Sequence, residues 1–488
     1  MKRGFYRAQP ATGAGVARRP ATAGLLRRLA VLLVAATAQP AFAELPPAVA
    51  AALDTARIPA EAVSAWVQPV DGSPPALAHN AARPMNPAST MKLVTAFAAF
   101  SQLGPAYTWH TRVARAGEVR NGRLEGELFL IGGADPMLDE DRVRRLLRKV
   151  RGLGVQHIAG GIVLDASALA LPPHDPALFD GRPLRPYNSG PYGLLMHYNT
   201  LQLALFPAEA GGPVTVVAEP PLAGLALENR LVGGSGACEP WQRGLEAALS
   251  PAGGLVLSGS LPVACGVRNW SAAPLAPSAY AAALVGAVWG ELGGTAGNAV
   301  REAVTPGSAT ILLDEESRPL ADVIRDMNKW SSNVIARQLL ATLGMNQPGD
   351  AVEAGAAAAQ RALAAAGIDT SGLVIENGAG LSRLERVRAD TLAATLLAAW
   401  QRPWMPEYIA ALPVAGVDGT ARRRLNGSPA NGYAHLKTGT LEGVRAMAGY
   451  VTDARGQRHI VVMMVNHPQA AASAAAQDAL VEWVWAGR

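Results

Sequence analysis

Hydrophobic and polar positions change rhythm several times along the 488 residues, and each change marks an element. Residues 29–36 form a short continuous apolar run behind a basic stretch. After Pro87 comes a small-polar turn, Ala88-Ser89-Thr90, and then a largely apolar run that predicts a buried helix. Residues 126–131 and 161–164 read as strands, and basic side chains crowd 144–149 as the solvated face of a helix. Near the C-terminus, 448–451 and 459–465 read as strands. Lys437-Thr438-Gly439 is placed on a strand that opens this antiparallel set. A Gly- and Pro-rich stretch spans 171–236. With half of the residues hydrophobic and 17% charged, the chain can bury a large core, and its length predicts several domains.

The first 43 residues change what the charge means. They hold seven of the basic residues and no acidic one, so the net +5 of the whole chain becomes −2 without them. Nucleic-acid binding thereby loses its compositional support. A basic segment ending at Arg27-Arg28, the apolar run and Ala41-Phe42-Ala43 together read as an export signal cleaved after Ala43. The apolar run is too short for the roughly 20 residues of a membrane span, so no stable membrane anchor is expected. Two arginine pairs, Arg18-Arg19 and Arg27-Arg28, leave the export route open between the general and twin-arginine systems. The predicted compartment is the periplasm. There the two cysteines, Cys238 and Cys265, are expected to form one disulfide. The eight histidines show no metal-binding spacing, and neither metal nor cofactor is expected.

Lysine usage points to the chemistry. Of 43 basic residues only five are lysines: Lys2, Lys92, Lys149, Lys329 and Lys437. A buried lysine can lose its proton where an arginine cannot, so lysines kept against this bias are candidates for acid–base work. Ser89 and Lys92 stand three apart, on one face of the predicted helix, as a nucleophile and its base. Alone, the pair could equally be a capping serine and a solvated lysine. Ser331 and Asn333 offer a hydroxyl and an amide two positions apart, just after Lys329. Lys437, Thr438 and Thr440 offer charge and hydroxyls on a strand where Gly439 permits close approach. Lys149 belongs to the basic helix face and receives no catalytic role.

The ordered set S-x-x-K, S-x-N and K-T-G resembles that of penicillin-binding proteins and class A β-lactamases. The wide gap between Lys92 and Ser331 signals a large insertion. Further stretches narrow the resemblance: Gly132-Gly133-Ala134-Asp135-Pro136, Leu164-Asp165-Ala166-Ser167, Arg185-Pro186-Tyr187-Asn188, Asn377-Gly378-Ala379-Gly380-Leu381-Ser382-Arg383 and Val417-Asp418-Gly419-Thr420. With these the chain resembles the D-alanyl-D-alanine carboxypeptidase/endopeptidase family of class C low-molecular-mass penicillin-binding proteins, peptidase family S13. The resemblance implies an α/β fold: a transpeptidase-like domain, an antiparallel sheet with flanking helices, built from 44–108 and 303–488. It implies two nested insertions, one from 109–167 and 271–302, the other from 168–270 with the disulfide.

By the same resemblance, Ser89 attacks a D-Ala-D-Ala carbonyl with Lys92 as base, and the amides of Ser89 and Thr440 hold the oxyanion. Ser331 and Lys437 return the proton, Asn333 binds the peptide and steadies Lys92, and Thr438 and Thr440 take the terminal carboxylate. Asp165 and Arg383 would read the amine and carboxylate of diaminopimelate, or else be a strand-end cap and a structural ion pair. The implied partners are peptidoglycan stem peptides, with β-lactams as covalent inhibitors; no oligomeric state is implied. Two positions depart from the family's habit: Asn377-Gly378-Ala379-Gly380, often acidic-Gly-Ser-Gly, and Ser332, commonly Asn. The rival readings are a catalytically silent wall-binding protein and a β-lactamase, which would need a deacylation base.

Overall fold

The structure, a computed structural model, describes residues 44–487; the expected export signal lies outside the described residues. Strands from both halves of the chain build one antiparallel sheet. Its order is Ala434–Leu441, Val444–Thr452, Arg458–Asn466, Val63–Pro69 and Leu77–His79. Alternation divides the central strands between two cores. Met447, Val451, Val461 and Met463 pack with Val49, Leu53, Leu480 and Val481 of helices Pro47–Thr55 and Ala474–Trp485. Ala446, Ala448, Tyr450, Ile460 and Val462 face the helix Met91–Leu103 and its neighbours. Burial on both faces explains why these strands read as almost unbroken apolar runs.

Met91–Leu103 is the pivot of the second core, with residues 91–100 all buried. Around it lie Leu320–Lys329, Asn333–Gly344, Ala351–Ala365 and Ala389–Trp400. Phe97 and Phe100 meet Trp404 with ring centroids 5.7 and 5.2 Å apart. Truncating either phenylalanine to alanine costs about 3–5 kcal/mol. A helix held this firmly fixes whatever stands on its first turn.

A second sheet has the order Arg301–Glu302, Gly161–Asp165, Glu127–Ile131, His110–Ala116 and Thr310–Glu316. Helices Glu140–Gly152 and Pro277–Glu291 cover it through Val143, Leu147, Leu284 and Val288. This sheet runs past the expected limit of 302, because Thr310–Glu316 pairs antiparallel with His110–Ala116. Two three-stranded sheets, spanning 201–272, enclose a separate core that includes Leu203, Leu257, Leu261 and Trp241. Cys238 and Cys265 form a disulfide there. The stretch from 168 to 200, expected in the same unit, instead places Leu169 in the helical core and Leu194 and Met196 in that of the second sheet. No helix among the described residues is long and apolar enough to cross a membrane.

Candidate active site

Asn86-Pro87 shapes the turn that presents Ser89. Asn86 Oδ1 accepts from Ala88 N at 2.9 Å, and its Nδ2 donates to Ser382 O at 2.8 Å. Ala88 is held at φ +43°, a left-handed conformation uncommon for a residue with a Cβ. Ser89 then sits in a 3-10 turn, Ala88–Thr90, directly ahead of Met91–Leu103. In this first turn the backbone N–H groups lack intrahelical acceptors.

Lys92 lies one turn on and is fully buried. Its Nζ is 3.1 Å from Ser89 Oγ, 2.7 Å from Asn333 Oδ1 and in hydrogen-bond contact with Ala379 O. Burial, together with the nearby Lys437, holds the amine well below the usual lysine range. A neutral amine has two N–H bonds and one lone pair. The two carbonyl oxygens take the N–H bonds, which leaves the lone pair for the hydroxyl of Ser89.

Lys437, also fully buried, is pushed down to about 7 by desolvation. Its Nζ donates to Ser331 Oγ at 2.9 Å and to Thr438 O at 2.6 Å. Ser331 stands at φ +58° in the short link between helices Leu320–Lys329 and Asn333–Gly344. Ser332 caps the second of these by accepting from Ile335 N at 3.2 Å, a task that Asn performs equally well. Lys329 pairs with Asp418 at 2.6 Å, and Thr420 Oγ1 lies 3.0 Å from Thr438 Oγ1. The segment after the helix Met405–Ala410 is thereby tied to both the serine link and the lysine strand.

Ala434–Leu441 is an edge strand. Its lower half is covered by 413–415: Leu436 N donates to Pro413 O, and Ala415 N to Ala434 O. Backbone direction alternates along an antiparallel ladder, so Thr438 and Thr440 aim their N–H and C=O groups out of the same edge. A Cβ on Gly439 would lie 2.8 Å from both Ser89 N and Pro87 O, so only glycine lets this strand approach the serine turn. Gly380, at φ +78°, abuts the backbone of Ala88 and Ser89 from the other side.

Ser89, Lys92, Asn333, Ser331, Lys437 and Thr438 are thus joined in one cluster, with Gly439 and Thr440 at its rim. Asp165 ends the strand Gly161–Asp165; its Oδ1 accepts from Ser167 N at 3.0 Å and its Oδ2 from Thr305 N at 2.7 Å, which leaves a lone pair on each oxygen. Arg383 is exposed; it donates to Glu442 O at 3.1 Å and lies over the Phe179 ring at 5.1 Å. It lines a cavity of about 520 Å³ with Arg337 and Glu376. Sequence reasoning missed Gly380, Thr420 and Glu385. Gly380 had a signal in the Gly-rich stretch 377–380; Glu385, fully buried against the amides of 376–378, had none.

The family described as D-Ala-D-Ala carboxypeptidase 3 (S13) matches residues 45–486. The D-alanyl-D-alanine carboxypeptidase of Actinomadura sp. (strain R39) is 30% identical over 422 residues, covering 81% of this chain and 76% of that protein. DacB of Haemophilus influenzae is 27% identical over 395 residues, covering 80% of this chain and 82% of its own. The crystal structure of penicillin binding protein 4 from H. influenzae has the same fold, with a TM-score of 0.74 and 24% identity over 90% of this chain and 99% of that one. The sheet, flanking helices and inserted sheets are therefore those of a transpeptidase-like α/β protein. On the match along nearly all of its described length, the chain belongs to the D-Ala-D-Ala carboxypeptidase 3 (S13) family of serine hydrolases.

Proposed function

We propose that the protein is a serine D-Ala-D-Ala carboxypeptidase that also opens D-Ala–meso-diaminopimelate cross-links of peptidoglycan in the periplasm. The observation that carries this reading is the buried Lys92 amine, 3.1 Å from Ser89 Oγ with its N–H bonds taken by two carbonyl oxygens. Nζ takes the hydroxyl proton as Oγ bonds to the carbonyl carbon of the penultimate D-alanine. The oxyanion is met by the N–H groups of Ser89 and Thr440. The C–N bond then breaks, and the leaving amine receives a proton from Ser331 Oγ, which Lys437 replenishes. Water hydrolyses the resulting ester and frees Ser89.

A substrate strand can lie along the open edge of Ala434–Leu441, with its carboxylate at Lys437, Thr438 and Thr440. The exposed guanidinium of Arg383 offers a second carboxylate site suited to diaminopimelate, where it would exchange Glu442 for the ligand. Asp165, with a lone pair left on each oxygen, is the candidate acid for the amine of diaminopimelate. A β-lactam presents the same carbonyl and carboxylate and would acylate Ser89. The β-lactamase alternative would need a carboxylate free to activate water.

Labelling with a fluorescent penicillin, wild type beside Ser89→Ala, tests the reading. The expected result is a lasting adduct on the Ser89 peptide by mass spectrometry, absent in the variant. No adduct, with penicillin intact, would favour a silent wall-binding protein. Rapid penicillin loss without an adduct would favour a β-lactamase. Digestion of cross-linked wall fragments then separates carboxypeptidase from endopeptidase activity.

A further inference from the structure

The segment 376–385 touches the serine helix at three points. Thr95 Oγ1 donates to Gly378 O at 2.7 Å, Lys92 donates to Ala379 O, and Gly380 packs on the Ser89 backbone. What holds this segment in place is a carboxyl group. Glu385 Oε1 accepts from the amides of Glu376, Asn377 and Gly378 at 3.2, 3.0 and 2.8 Å. Its own amide is fixed by Ser382 Oγ at 2.9 Å. Oε2 is fully buried and receives no hydrogen bond from any described residue. Burial pushes this carboxyl above the ordinary glutamate range, and the three amides converging on Oε1, with Lys92 nearby, pull it back toward the anion.

We propose that Glu385 is a positioning residue for acylation: its buried carboxylate braces the 376–380 turn against Lys92 and supplies the anion that keeps this amine a competent base. The inference rests on the reading of Lys92 as the base. The charged groups acting on Lys92 are Lys437 from the edge strand, Arg337 from Asn333–Gly344, and Glu385 from the turn. Both cations oppose protonation of Lys92, and Glu385 is the group that favours it. Arg337 is itself held by the carbonyl of Ser189 at 2.9 Å and feels both Glu385 and Glu376. Without Glu385 the amine would be flanked by positive charge alone. It would then be neutral at lower pH but a weaker acceptor for the serine proton.

The test is the pH profile of single-turnover acylation by a fluorescent penicillin in Glu385→Gln, which keeps the shape and removes the charge. The acidic limb is expected to move toward lower pH by about one unit, with a reduced plateau. An unmoved limb, or one displaced to higher pH, overturns the proposal. Should this variant fail to fold, as judged by its thermal melt, Glu385→Asp takes its place. Aspartate retains the charge while slackening the turn, so the limb should stay and the plateau fall; a limb displaced as far toward acid in this variant overturns the proposal. Wild-type acylation and its loss in Ser89→Ala are scored separately, so a failure here leaves the assignment of the nucleophile standing.

Discussion

Replacing Gly439 by alanine probes how closely the strand must approach the serine turn. The new Cβ would lie 2.8 Å from Ser89 N and Pro87 O and 3.0 Å from Ala88 Cβ. Comfortable contacts of a carbon atom begin near 3.5 Å, so strand and turn must part by roughly 0.5–1 Å. Gly439 does not occupy the left-handed region, so the cost is steric and not conformational. The atom displaced is the amide proposed to bind the oxyanion. A misplacement of about 1 Å costs on the order of a hundredfold, or about 2.7 kcal/mol of barrier. Overpacking also lowers folding stability by about 1–3 kcal/mol. The assay is the second-order acylation rate with a fluorescent penicillin, alongside a thermal melt. Acylation within about threefold of wild type would refute the argument that this glycine sets the geometry.

Four further outcomes follow from the same structure. Lys92 and Lys437 have folded values below the ordinary 10.5, so the unfolded chain binds more protons. The cost of burying them accumulates as pH falls from there, and for Lys437 it is complete below about 7; Lys437→Met should therefore raise the melting temperature more at pH 6 than at pH 10, and an equal rise at both would contradict its burial as a near-neutral amine. In the free enzyme kcat/KM for a D-Ala-D-Ala peptide should fall above pH about 7 as the Lys437 ammonium is lost, and a profile flat to about pH 9 would remove its role. Ser331→Gly should relieve about 1 kcal/mol of left-handed strain while slowing turnover by about 10²–10⁴-fold, so an active variant would exclude the proton relay. Replacing both cysteines by serine should cost about 3.5 kcal/mol by chain entropy for their separation of 27 residues, visible as faster proteolysis within 201–272, with acylation unchanged.

The three-residue spacing put Ser89 and Lys92 on one helix face, and the ordered trio of motifs told them apart from a capping serine and a solvated lysine. The scarcity of lysine marked Lys437, but its bond to Ser331 bridges 106 residues, which spacing alone cannot supply. Resemblance to a family supplied that pairing. Asp165 keeps both of its readings, since the aspartate that ends a strand and accepts from the amides of Ser167 and Thr305 still has lone pairs for an amine. Thr310–Glu316 escaped because Ile311-Leu312-Leu313-Asp314-Glu315-Glu316 has no alternation, and it lies at a sheet edge where one partner suffices. Glu385 was invisible for a deeper reason. One more acidic residue in a polar stretch means nothing until helices distant in sequence exclude water from it.

The order in which the parts arrive along the chain has its own consequence. Val63–Pro69 pairs with Arg458–Asn466, and Asn86, which shapes the serine turn, is gripped by Asn466, 380 residues away. Lys92 finds its acceptors on Asn333 and Ala379, 241 and 287 residues later. Until the last strands exist, Ser89 has neither a fixed turn nor a poised amine. Folding must wait for these distant pairings and is correspondingly slow. The inserted sheets can meanwhile form around their own cores. A hydrolase laid out in this way is armed by its own completion: its site is assembled only when the last strands are in place.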